Sequence, residues 1–116
     1  MSLQSAAIIP RHVSVDDIFV ALSRLPGVSG VGARQMTRPE YQLIEFVRGN
    51  QRAAIHAFLS SYAAEDYAEV LGGDSVLLTM EAKAENARLL AELAGTGGWV
   101  RSSDSEPWRA IVGTND

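Results

Sequence analysis

Glycine and proline cut this chain into short segments, and that punctuation limits its possible folds more than any other feature. Pro26-Gly27, Arg48-Gly49-Asn50, Gly72-Gly73 and Gly95 with Gly97-Gly98 each end an apolar stretch. None of those stretches approaches the ~18–20 residues that a membrane-spanning helix needs. Between the breaks the apolar residues recur with a helical or a strand period, so the chain is built from short helices and short strands. At 116 residues and 47% hydrophobic content it reads as one domain, 1–116, able to bury a core without staples. Cysteine is absent, which excludes disulfides, thiolate zinc sites and cysteine nucleophiles, and suits a reducing cytoplasm as the expected location. No basic-then-apolar leader precedes residue 20.

Residues 1–7 read as a loose end, and Ile8 to Val13 as a short extended stretch that Pro10 makes either an edge strand or a strand that begins late. Ser14 lies three residues before Asp17, the spacing of a capping box, and Val15, Ile18, Phe19 and Leu22 then form one helical stripe. Leu25 lies near its end, and Pro26-Gly27 stops it. Val28 to Met36 is glycine-rich but compatible with a strand, and Thr37 to Glu40 is a turn. Tyr41 to Val47 reads as a strand covered on both sides, with Ile44 and Phe46 on one face and Leu43 and Val47 on the other. Asn50 is placed to cap a helix beginning at about Gln51, whose stripe is Ile55, Phe58, Leu59 and Tyr62 and runs on to Leu71.

Ser75 to Glu81 alternates as a strand, and Ala84 to Ala94 is a helix with Ala87, Leu90 and Ala94 facing inward and Gly95 as its cap. Trp99 to Ser102 and Trp108 to Val112 are two strands joined by the turn at 103–107. The order βαββαβαββ predicts an α+β two-layer sandwich: a mixed, mainly antiparallel sheet with helices on one face. Its first six elements match a ferredoxin-like βαββαβ core, to which the last helix and hairpin add at one edge. That plan hosts many activities and names none.

The net charge of −4 is unevenly spread: residues 1–60 carry +2 and residues 61–116 carry −6. An acidic half argues against nucleic acid as partner and favours a basic protein, although acids on helix faces ordinarily serve solubility alone. His12 and His56 are the two neutral-pH acid–base candidates, and no nucleophile is spaced to join them, so both read as structural or surface side chains. Ser29 lies in Gly27-Val28-Ser29-Gly30-Val31, which fails as a nucleophile elbow because position 31 is Val. The same stretch fails as a dinucleotide-binding loop because position 35 is Gln. No metal-ligand spacing is present, so neither a metal nor another cofactor is expected. One anion site is conceivable where Arg48, Asn50 and Arg52 meet the start of the second helix, with Arg34 and Arg38 nearby.

The C-terminal segment is the most distinctive. Leu89-Leu90-Ala91-Glu92-Leu93-Ala94, then Gly97-Gly98-Trp99, then Asp104-Ser105-Glu106-Pro107-Trp108 is similar to the tails of small bacterial immunity-type proteins from polymorphic toxin systems. The likeness covers Leu89 to Ile111, about a fifth of the chain. Those tails often hold a denser Asp cluster where this chain has Ser103, Ser105 and Pro107. The resemblance implies a non-enzymatic cytoplasmic protein that neutralises a cognate toxin by binding it. The partner surface expected on physical grounds is Trp108 as an aromatic anchor rimmed by Asp104 and Glu106, with Glu65, Asp66 and Glu69 as a second patch. Core packing is the plainer role for Trp99. A function of another class also fits the predicted fold: a small-ligand or regulatory domain that forms a homodimer through its sheet.

Overall fold

The computed structural model describes residues 4–10, 13–35, 41–58 and 75–112. In chain order its elements are β1 (Gln4–Ile9), α1 (Val15–Ser23), β2 (Val28–Gln35), β3 (Tyr41–Arg48), β4 (Gln51–Phe58), β5 (Val76–Glu81), α2 (Ala84–Ala94), β6 (Trp99–Arg101) and β7 (Arg109–Ala110). Among the described residues seven strands form one sheet in the order β2-β3-β4-β5-β1-β6-β7. Every pairing is antiparallel, so the expected mixed sheet is antiparallel throughout.

Both helices lie against one face, giving the expected α+β two-layer arrangement. Ile18 and Leu22 of α1, with Ala87, Leu90 and Ala94 of α2, pack onto Ala7, Ile9, Ile44, Phe46, Ile55, Val76, Leu78 and Met80. Alternation along the same strands sends Ala6, Ile8 and Leu77 to the opposite face, where Phe58, Trp99 and Trp108 pack against them. Because β5 and β6 are each antiparallel to β1, they run parallel to one another with β1 between them. The helix α2 joins them and rests on β1.

The α1 start is a complete capping box: Asp17 N donates to Ser14 Oγ at 3.1 Å, and Ser14 N donates to Asp17 Oδ2 at 3.3 Å. The helix α2 has the bounds expected from its stripe, and Gly95, at φ +75°, ends it in a conformation that suits glycine.

Two readings are corrected. The start of the chain is not a loose end from Gln4 onward, because Gln4–Ile9 is the strand β1. Nor is β1 an edge strand: it lies between β5 and β6, and Ser5 to Ile9 are all buried. Pro10 follows the strand, so no ladder hydrogen bond is lost to it. The small residues Ser5, Ala6 and Ala7 read as part of a loose end in one dimension. In three they permit close packing on both sides of the sheet.

The second correction is larger. Residues 51–58 form the strand β4, not the first turns of a helix. Asn50 caps no helix there; with Gly49 it makes a two-residue hairpin turn closed by the pair Arg48 and Gln51. Gly49 has φ +66°, the left-handed conformation that the first position of such a turn takes. Ile55 and Phe58 have helical spacing, but Ala53, Ala54 and Ala57 suit either period, and β3 supplies the hydrogen-bond partners that decide for the strand. The remainder of that expected helix lies outside the described residues. With a strand in fifth place, the described elements do not reproduce a βαββαβ core.

The glycine-rich stretch after α1 is the strand β2, as its place in the expected element order has it. It carries one extra residue between Ser29 and Gly32 relative to β3, a β-bulge at which Gly30 takes φ +60°.

Candidate functional site

The loop between β6 and β7 is built from short-range contacts. Ser103 Oγ and Ser105 Oγ are 2.9 Å apart, and Glu106 N donates to the Ser103 carbonyl oxygen at 3.1 Å. The base of the loop is tied to the sheet by Ser5, whose hydroxyl donates to the Ser102 carbonyl oxygen at 2.6 Å. Arg101 braces it from one side. Its guanidinium lies 4.6 Å from the centre of the Trp108 ring, and Nη2 is 3.7 Å from Asp104 Oδ1. The Trp108 ring also packs against the Ala6, Ile8 and Leu77 cluster, so it is half-buried.

Asp104, Ser105, Glu106 and Pro107 are left exposed at the rim. The structure therefore brings Asp104, Glu106 and Trp108 together on one loop. Trp99 is half-buried in the same apolar cluster, in the packing role expected for it. Glu65, Asp66 and Glu69 lie outside the described residues.

The residues of the expected anion site do not converge. Arg48 is opposite Gln51 and Arg52 is opposite Val47, adjacent ladder positions that project to opposite faces. Asn50 is exposed in the hairpin turn between them, and no helix begins there to supply amides. Arg48 instead points to the helical layer, with Nη2 3.5 Å from Glu85 Oε1 of α2 and Nη1 buried without a hydrogen-bond partner. Arg38 lies outside the described residues.

His56 sits on β4 rather than on a helix, on the sheet face opposite α1 and α2. Its Nδ1 shares a hydrogen bond with the Tyr41 hydroxyl, and the Tyr41 ring stacks on Phe58 with centroids 4.8 Å apart. Burial lowers the His56 pKa below its ordinary 6.5 by penalising the charged ring. His12 lies outside the described residues. Ser29 is exposed on β2, where a strand and no elbow follows.

One arrangement had no signal in the sequence. Between β4, β5 and the first turn of α2 is a cavity of about 70 Å³ lined by Arg48, Arg52, Glu81, Lys83 and Asn86 among others. Asn86 is 4% exposed; its Nδ2 donates to the Glu81 carbonyl oxygen at 2.8 Å, and its Oδ1 has no partner. An asparagine three residues into a helix gives no indication that it faces a cavity wall. Among the described residues no group of acids or histidines is placed to hold a metal ion, and no helix is long and apolar enough to cross a membrane. Comparison of the chain with protein-family models, with curated proteins and with solved structures finds no match.

Proposed function

We propose that this chain is a protein-binding module of the immunity type, which neutralises a basic toxin domain by presenting the β6–β7 loop to it. The observation that carries this reading is the joint display of Asp104 and Glu106, both exposed, on a loop braced by the half-buried Trp108 and Arg101. A loop held in shape before binding loses little entropy on docking, and exposed carboxylates attract a basic partner over distance. The mechanism is steric occlusion of the toxin's substrate groove, with no chemistry performed by this chain and no cofactor, in a cytoplasmic setting.

The test is capture of a co-expressed partner by the tagged protein at low and then high salt. The double variant Asp104→Lys with Glu106→Lys loses capture while its circular dichroism spectrum and melting temperature stay near those of the parent. Unaltered capture by the folded double variant would remove the loop from the interface. The ferredoxin-like comparison adds nothing to this reading, since the fifth element is the strand β4.

A further inference from the structure

The sheet has two free edges among the described residues, β2 and β7, and they differ in form. The β2 edge is broken by its bulge, which shifts the register between Ser29 and Gly32 and puts Gly30 at φ +60°. A bulge of this kind twists the outer row of backbone groups out of line and discourages a further strand. The pairing of β7 with β6 has no register shift.

The hydrogen bonds of β7 settle which backbone groups it leaves open. Ile111 N donates to the Gly98 carbonyl oxygen at 2.8 Å, and the Ile111 carbonyl oxygen accepts from Gly97 N at 3.1 Å, so both of its groups turn inward. Arg109, two residues earlier and opposite Val100, is in the same phase. Ala110 lies between them and therefore turns its N–H and its carbonyl oxygen outward, away from β6. It is exposed, and Val112, in the same phase, is 77% exposed.

Side chains and charge narrow what can dock there. On the sheet face away from the helices, Ala110 is opposite Trp99, with Trp108 beside it, so that side of the edge is apolar. The exposed carboxylates of Asp104 and Glu106 stand where the loop enters β7. The exposed Arg109 projects to the helical face, so a cationic side chain is favoured at the loop end and opposed farther along. An extended segment with apolar side chains on one face and Lys or Arg at its loop end meets these conditions.

We propose that β7 is the docking edge for an extended basic segment of the toxin domain, which adds to the sheet as a further strand. The inference rests on the immunity reading and specifies how the partner is held. Ala110 supplies a backbone donor and acceptor, the Trp99 and Trp108 face receives alternate apolar side chains, and Asp104 and Glu106 take the basic end.

The probe is a synthetic peptide, capped at both termini, whose core alternates valine and threonine between two lysines at each end. Calorimetric titration of the whole protein is expected to show saturable binding with a dissociation constant of about 1 mM or tighter. Glutamates in place of the lysines weaken it by about tenfold or more, as does N-methylation of the alternate core amides that face β7. N-methylation in the other phase leaves binding unchanged. Ala110→Pro acts like the first methylation, since it removes an outward N–H and no bond to β6, a change that an edge strand tolerates. Melting temperature checks that this variant is folded.

No saturable binding of the lysine peptide, or equal binding of the two methylated forms, would overturn strand addition, and neither result depends on a variant. A dimer in sedimentation velocity that Ala110→Pro dissolves would assign the edge to a second copy and overturn the basic segment as its occupant. The two readings fail separately. Toxin capture lost in the double variant at Asp104 and Glu106 but kept in Ala110→Pro would leave the immunity reading standing and overturn strand addition. Peptide binding without any captured toxin would keep the docking edge and overturn the toxin as its occupant.

Discussion

The Arg101 guanidinium lies over the indole of Trp108, 4.6 Å from the ring centre, while Nη2 of the same group reaches toward Asp104 at 3.7 Å. One cation thus holds the aromatic and the acidic parts of the loop in fixed relation. The Arg101 side chain is 15% exposed, so its attraction to the ring is less screened than at an open surface. Replacement by Gln removes both contacts and costs about 0.5–2 kcal/mol of stability. In a Trp99→Phe background the emission of Trp108 shifts to the red as its ring gains solvent. Arg101→Lys keeps the charge but not the planar stacking, so its effect is intermediate. An unshifted spectrum in the Gln variant would show that Trp108 is held by the apolar cluster alone.

Gly98 is buried for a steric reason. A methyl group there would stand 2.7 Å from the Ile8 carbonyl oxygen and 3.1 Å from Ala94 Cβ, and backbone oxygen cannot yield as a flexible side chain does. Gly98→Ala therefore costs about 1–3 kcal/mol by forcing β1, α2 and the start of β6 apart. Gly32, on the edge strand β2, has open space around its would-be Cβ and no positive φ, so Gly32→Ala is neutral or stabilising by up to about 1 kcal/mol. Urea midpoints of the two variants, measured side by side, check the contrast.

The hydroxyl of Ser5 is buried at the meeting point of three segments. It accepts from Lys83 N at 3.3 Å and donates to the Ser102 carbonyl oxygen at 2.6 Å, which ties the α2 entry and the β6–β7 loop to β1. Ser5→Ala leaves those backbone groups without their partner and costs about 1–3 kcal/mol. Hydrogen exchange at Lys83 and in the residues after Arg101 accelerates more than exchange in β3. Uniform acceleration would contradict a local tie.

His56 makes stability depend on pH. Its folded-state pKa lies below the ordinary 6.5 because burial disfavours the imidazolium. The unfolded chain therefore takes up the proton first, so the contribution is complete above pH 6.5 and is lost as pH falls from there through the folded-state value. His56→Gln has no titrating group at this position. The stability difference between parent and variant thus narrows from pH 7.5 to pH 5.5 if the parent is the more stable, and widens if it is the less stable. A direct check is the NMR titration of the His56 ring protons, whose midpoint falls below 6.5. A midpoint at or above that value would contradict the desolvated setting beside Tyr41.

Local chemistry was enough for several elements. The Ser14 and Asp17 spacing, the Ala84 to Ala94 stripe ending at Gly95, and the alternation of Val76 to Met80 all appear in the folded chain as read. In each case the cap or the periodic side chains lie within a few residues of one another, so the information is contained in the segment. The acidic residues of the β6–β7 loop were likewise visible, since the turn chemistry of Ser103 to Pro107 is local.

Other features were decided by partners far away in sequence. Gln4–Ile9 is a central strand because β5 and β6 arrive on either side of it, from more than sixty residues downstream. Gln51–Phe58 is a strand because alanine permits both periods and β3 offers a ladder of hydrogen bonds that an isolated helix does not need. The clasp of Arg101 on Trp108 depends on how β7 folds back on β6, and the ion pair of Arg48 with Glu85 depends on α2 packing over the end of β3. Residue type and spacing carry the periodic part of this protein. The sites arise where the sheet brings distant side chains to one place, and that juxtaposition exists only after the long-range strand pairs have formed.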